Sequence, residues 1–189
     1  MKRYRKDMTA WLMIILFLVI LFYLYNQLKT DRYIDQGEDA PLPENLDPVV
    51  AEKTEELVGR AAEENIDIVI TETTRSNEKQ DELYKQGRTK DGSIVTYAQG
   101  GESYHNYGLA VDYALRNHNG DVSWDIHYDG NNNGESDWFE VADMAKELGF
   151  EWGGDWSNFK DYPHLQMDFG LSIDQLKQGH RPKHGESDT

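Results

Sequence analysis

Residues 100–115 read GGESYHNYGLAVDYAL, and the fold turns on how this run divides. Its second half, Leu109 to Leu115, alternates large and small side chains with a period of two, which marks a strand whose successive side chains face opposite ways. Ala110, Asp112 and Ala114 then share one face, so a carboxylate stands between two small neighbours that leave room beside it. Gly108 suits a turn just before the strand. A turn there brings His105, seven positions before Asp112, back toward the carboxylate.

A second segment, DYPHLQMDF (161–169), alternates again from His164 onward, and Pro163 fixes the angle at which the chain enters that strand. Two imidazoles, His105 and His164, with one carboxylate, Asp112, and an open fourth position form the ligand type of catalytic Zn²⁺. Such an ion lowers the pKa of water to about 7, and a second carboxylate takes the proton as water attacks a carbonyl. Asp161, on the loop before His164, is the candidate for that base. Each piece alone also has a plainer reading. A lone histidine is more often a satisfied core or surface residue, and a lone buried aspartate more often caps a turn.

Further out, Asp47-Pro48 starts a helix whose apolar stripe is Val50, Leu57, Val58 and Ala61. Ile66, Ile68 and Ile70 alternate as a strand, and Ser76 or Asn77 caps a helix ending at Gly87. Ser93 to Ala98 reads as a strand, Trp138 to Leu148 as a helix stopped by Gly149, and Ser172 to Gln178 as a capped helix before Gly179. Trp152 and Trp156, about a Gly153-Gly154 turn, wall a cleft or fill the core. Strands and helices mix without a strict βαβ rhythm. The expected fold is α+β, a small antiparallel sheet flanked by helices with a zinc cleft.

The loop DGNNNGESDWFE (129–140) fits the spacing of a calcium loop, with Asp129, Asn131, Asn133, Glu135, Asp137 and Glu140 as oxygen donors. Asn stands where tight sites prefer Asp, so a bound Ca²⁺ would be held weakly; the alternative is an Asn/Gly-rich turn capped onto a helix. His118, His127, His180 and His184 have no partner at ligand spacing and read as surface residues.

With 19 basic against 35 acidic side chains the net charge is −16, which repels a phosphate backbone and excludes nucleic acid as a partner. The absence of cysteine excludes disulfides, thiolate catalysis and Cys-ligated zinc. Met8 to Leu28 carries no charge and follows Lys2, Arg3, Arg5 and Lys6. This pattern predicts a transmembrane signal anchor over 1–28, with the membrane as a partner and the remainder outside. A cleaved signal peptide and a secreted protein form the alternative. Residues 29–47 read as a polar linker, 48–179 as the catalytic domain and 180–189 as a disordered tail.

The order Ser-x-His-x-x-Gly-x-Ala-x-Asp, Ser103 to Asp112, followed by acid-x-x-His, Asp161 to His164, resembles the zinc peptidases of the D-Ala-D-Ala carboxypeptidase and dipeptidase family. VanX, VanY and phage endolysins belong to it. ITETTRSNEKQDELYKQGR (70–88) and FEWGGDWSNFKDYPHLQM (150–167) are similar to its cell-wall L-alanyl-D-glutamate endopeptidases. The resemblance spans residues 41–168 and the N-terminal anchor.

It implies a peptidoglycan hydrolase acting on stem peptides, with Zn²⁺ held by His105, Asp112 and His164 and with Asp161 as general base where many relatives carry Glu. It also implies that Arg75 polarises the scissile carbonyl or clamps a substrate carboxylate, and that Gln80 and Ser103 touch substrate. The expected location is the cell membrane, with the domain facing the wall. A D,D- or L,D-carboxypeptidase and a non-catalytic wall-binding module retaining zinc are the rival readings.

Overall fold

Asp47 accepts a hydrogen bond from the Val49 backbone (3.0 Å) and Pro48 occupies the first helical position, so the chain turns into a helix at that dipeptide. The computed structural model that shows this describes the backbone of residues 2–30 and 33–184, and the side chains of residues 11–25 and 33–184. In chain order the elements are α1 (Lys2–Thr30), β1 (Tyr33–Asp35), α2 (Pro48–Glu63), β2 (Ile68–Glu72), α3 (Asn77–Lys85), β3 (Ala110–Arg116) and β4 (Val122–Ser123). There follow α4 (Asp137–Glu147), β5 (Glu151–Trp152), β6 (His164–Gln166), α5 (Ile173–Lys177) and β7 (His180–Pro182). A 3₁₀ turn, Tyr104–Tyr107, stands immediately before β3.

The main sheet has the order β2-β3-β6-β5, with β4 pairing the far end of β3, and every pairing is antiparallel. Alternation along β3 divides its work. Val111, Tyr113 and Leu115 point to the face covered by α2 and α4, where the Tyr113 ring lies 4.9 Å from that of Trp138 and its hydroxyl donates to the Trp138 carbonyl. Val50, Leu57 and Ala61 of α2 are fully buried against this layer, each large apolar side chain contributing roughly 1.5–3 kcal/mol. Ala110, Asp112 and Ala114 face the other way, and the site is built there. A separate ribbon joins β1 to β7, with Tyr33 opposite Pro182 and Asp35 opposite His180.

Two expectations are corrected. The membrane-crossing helix is not found, because no helix among the described residues is long and apolar enough to span a bilayer. Within α1 the described side chains run from Trp11 to Tyr25, fifteen residues. The side chains of Lys2, Arg3, Arg5 and Lys6 lie outside the described residues, as do residues 185–189.

The strand expected over 93–98 is an irregular loop. Its carbonyls are taken by side chains instead of a neighbouring strand: Thr96 accepts from Arg88 Nη1 (3.0 Å) and Ala98 from Gln80 Nε2 (2.8 Å).

Candidate metal centre and cleft

Antiparallel register sets Asp112 of β3 directly opposite His164 of β6. His105 arrives from the 3₁₀ turn, which Ser103 caps by accepting from the His105 backbone (3.3 Å) while Asn106 bonds back to Ser103. Gly108 ends the turn at φ +68, in the left-handed region, and a Cβ there would lie 2.6 Å from the Asn45 carbonyl. The turn and the pairing together bring three donor atoms to one point. His105 Nε2 is 3.1 Å from Asp112 Oδ1 and 3.2 Å from His164 Nδ1, which is 3.3 Å from Asp112 Oδ1.

These separations fit a metal ion. Donors bound at about 2.0–2.1 Å in a tetrahedron are about 3.3 Å apart, so the three atoms form one face of such a figure. The proton positions agree. His105 Nδ1 is 2.7 Å from the Thr73 carbonyl, which can only accept, so that nitrogen carries the hydrogen and Nε2 is bare. Gln166 Nε2 donates to the Glu151 carboxylate (3.0 Å), which turns Gln166 Oε1 toward His164 Nε2 (3.0 Å). His164 therefore carries its hydrogen on Nε2 and presents a bare Nδ1. Two lone pairs facing each other at 3.2 Å repel unless a cation lies between them.

The second oxygen of Asp112 accepts from Arg75 Nη2 (3.2 Å), and Arg75 Nη1 donates to Gln80 Oε1 (2.9 Å). Burial alone would raise the Asp112 carboxyl. Protons taken up on the inner nitrogens of His105 and His164 outweigh it, by hydrogen bond and by charge, and hold the group well below the usual carboxylate range; a cation at that point acts in the same direction. For His164, burial opposes the charged ring, yet the bond to Asp112 and the charges of Asp112 and Asp161 raise it.

Asp161 lines the same cleft, and none of the hydrogen bonds among the described residues uses its carboxylate. Burial raises it above the ordinary value, with the charge of His164 acting the other way and that of Asp112 adding to the rise. Its placement rests on Gly153, whose carbonyl accepts from the Asp161 backbone (3.1 Å) and whose missing Cβ leaves space for Asp161 and His164.

Of the other residues singled out in the sequence, Ser103 lines the cleft and Gln80 is fully buried, bonded to Arg75, Thr96 and Ala98. Trp152 lies in the core, its indole donating to the Tyr162 carbonyl (2.8 Å), whereas the Trp156 ring rests 5.1 Å from that of His164. The cleft encloses about 560 Å³. Tyr104 also lines it, but burial, then the charges of Asp168 and Glu151, push its hydroxyl up to about 12, and the hydroxyl donates to the Leu171 carbonyl (2.9 Å).

The calcium expectation has a different outcome. Among the described residues the group of His, Asp and Glu able to hold an ion is His105, Asp112 and His164. In the 129–140 loop Asp129 accepts from the backbones of Asn133 and Gly134, and buried Asp137 accepts from Gly130. Glu140 faces the amide nitrogens of Asn131 and Asn133, and Glu135 donates its backbone N–H to Asn133. These bonds close a turn onto α4, and nothing in the loop supports a bound Ca²⁺.

Sequence reasoning missed Gln166, although its position two residues after His164 on a strand places both on one face. Glu151 and the Thr73 carbonyl left no such signal, since their proximity depends on strand register and a loop path.

A family model described as D-alanyl-D-alanine carboxypeptidase matches residues 96–167, the span that holds His105, Asp112, Asp161 and His164. The peptidoglycan L-alanyl-D-glutamate endopeptidase CwlK of Bacillus subtilis (strain 168) is 55% identical over 160 residues, 84% of this chain and 95% of its own. The L-alanyl-D-glutamate peptidase of Listeria phage A118 is 33% identical over 115 residues, 60% of this chain and 35% of its own. Among solved structures, the L-Ala D-Glu endopeptidase ChiX of Serratia marcescens is 24% identical, with 66% of this chain and 82% of that one covered at a TM-score of 0.47. With 55% identity over 160 aligned residues, nearly the whole of the Bacillus relative, the chain belongs to the D-alanyl-D-alanine carboxypeptidase family of M15 peptidases.

Proposed function

We propose that this protein is a zinc-dependent peptidoglycan hydrolase that cuts the stem peptide between L-Ala and D-Glu. The observation that carries the reading is the pair of imidazoles whose outer nitrogens are hydrogen-bonded to Thr73 and Gln166, so that their bare nitrogens and Asp112 face one point. Two nitrogens and one oxygen suit Zn²⁺, and the 55% identity to an L-alanyl-D-glutamate endopeptidase supports the choice of bond.

His105, Asp112 and His164 would hold the ion. When bound, zinc supplies a Lewis acid that polarises the scissile carbonyl and makes water nucleophilic near neutral pH. Asp161, unspent and in the same cleft, accepts the proton that water releases as its oxygen bonds to the L-Ala carbonyl carbon. The same carboxyl then passes that proton to the D-Glu nitrogen as the carbon–nitrogen bond breaks. Arg75 fixes Asp112 from behind, so the ligand keeps its orientation through the cycle. With a substrate in the wall, the protein works outside the cell.

The family description favours one rival, release of a terminal D-Ala. Mass spectrometry of defined muropeptides, with and without chelator, separates the two. Chelator-sensitive fragments ending in L-Ala support the endopeptidase, free D-Ala supports the carboxypeptidase, and intact muropeptides with zinc bound sink both.

A further inference from the structure

Tyr97 and Trp124 line the metal cleft yet are 63% and 57% exposed, more than any other Phe, Trp or Tyr side chain described after β1. Large rings left in water at a cleft wall are apolar surface awaiting a partner. Both are held from behind. Tyr97 meets the Phe159 ring nearly edge-on (5.5 Å, 84°) and lies 5.4 Å from the Arg88 guanidinium, which is anchored on the carbonyls of Tyr84 (2.6 Å) and Thr96 (3.0 Å). Trp124 stacks on Trp138 at 6.3 Å with the planes 26° apart. Rings fixed in this way lose little freedom when a ligand covers them.

The cleft limits what that ligand is. Apart from Asp161, its charged groups are already engaged: Glu102 pairs with Lys177 (3.2 Å), Asp112 with Arg75 (3.2 Å) and the metal point, and Arg75 also with Gln80. The two exposed rings carry no charge, and flat rings of this kind pack best against another uncharged surface, such as the C–H face of a sugar ring. Given the bond assigned above, on which this inference rests, the stem peptide offers one such group. L-Ala is joined to the amino sugar of the glycan through a lactyl group, and one residue plus that unit reach only about 7 Å at ~3.3–3.6 Å each. The sugar therefore has to lie on the cleft wall, while the carboxylates of D-Glu and beyond leave on the other side of the cut.

We propose that Tyr97 and Trp124 form a subsite for the N-acetylated amino sugar that carries the stem peptide. The zinc-loaded protein is assayed on two substrates that share one peptide, one carrying N-acetylmuramic acid on L-Ala and one whose L-Ala nitrogen carries only an acetyl group. The unaltered protein should favour the sugar-bearing substrate in kcat/KM by about tenfold or more, chiefly through KM, and Tyr97→Ala or Trp124→Ala should bring the ratio toward one. A ratio near one in the unaltered protein overturns the subsite while leaving the endopeptidase standing. Equal losses on both substrates in the variants also overturn it, assigning the rings to the peptide. Cleavage of neither substrate overturns the endopeptidase reading itself.

Discussion

Arg75 and Asp112 are joined by a hydrogen bond of 3.2 Å from Nη2 to Oδ2, on the side of the carboxylate that faces away from both histidines. A guanidinium so engaged sets the direction of a metal ligand. Arg75→Ala should weaken zinc binding about tenfold or more as well as slow turnover. Competition with a chromophoric chelator reads the first effect, and unchanged zinc affinity would confine Arg75 to the substrate.

Gln166 makes a comparable prediction from the opposite side of the site. Gln166→Leu removes the acceptor for His164 Nε2–H and leaves Glu151 without its donor. Zinc affinity should fall about 10–100-fold, with the far-ultraviolet circular dichroism spectrum unchanged. Affinity equal to that of the parent would mean that the ring is held by packing against Trp156 alone.

Asp161 and His164 should separate chemistry from metal binding. Asp161→Ala is expected to retain zinc and lose at least about a hundredfold in rate, whereas His164→Ala loses the ion. Metal content by atomic emission beside muropeptide turnover checks both; a fully active Asp161→Ala protein would remove the base assignment.

Gly108→Ala forces a side chain onto a left-handed backbone (φ +68) and against the Asn45 carbonyl at 2.6 Å. The expected cost is ~1–3 kcal/mol in urea unfolding. Because the same turn carries His105, zinc affinity should fall in parallel.

Asp137 sets a pH dependence of stability away from the metal. Burial raises its carboxyl above the ordinary 3.8, and the backbone hydrogen bonds of Gly130 and Asn131 act the other way without cancelling it. Between 3.8 and the raised value the folded chain holds more protons than the unfolded one, so stability falls as pH rises through that window and the loss persists above it. Asp137→Asn should gain stability relative to the parent from pH 4 to pH 7 by about the same course; parallel urea midpoints across that range would refute it.

Much of this architecture is written locally. The Asp47-Pro48 start of α2 and the Ser172 capping box of α5 need only neighbouring residues, and the return of His105 to Asp112 needs only Gly108 and the alternation after it. Misreadings arose where a local pattern has two outcomes. Residues 93–98 carry strand-like side chains, but the buried amide of Gln80 and the guanidinium of Arg88 take their carbonyls first. The oxygen-rich 129–140 loop is a separate case: its spacing suits a cation, Asp129 closes it by accepting from Asn133 and Gly134, and a bound ion has no support. The Gln166–Glu151 link depends on the register of β5 against β6, which no stretch of sequence states by itself.

The ribbon of β1 and β7 has a mechanical consequence. Tyr33 pairs with Pro182, so the chain enters and leaves this antiparallel pair at the same end. Tension drawn through the two ends peels the pairs apart one after another instead of shearing them together, and unzipping is the weaker geometry. The clasp should yield first under load, giving a short low-force step in single-molecule pulling. The five-stranded sheet that carries His164 and Asp112 is then still intact and unstretched.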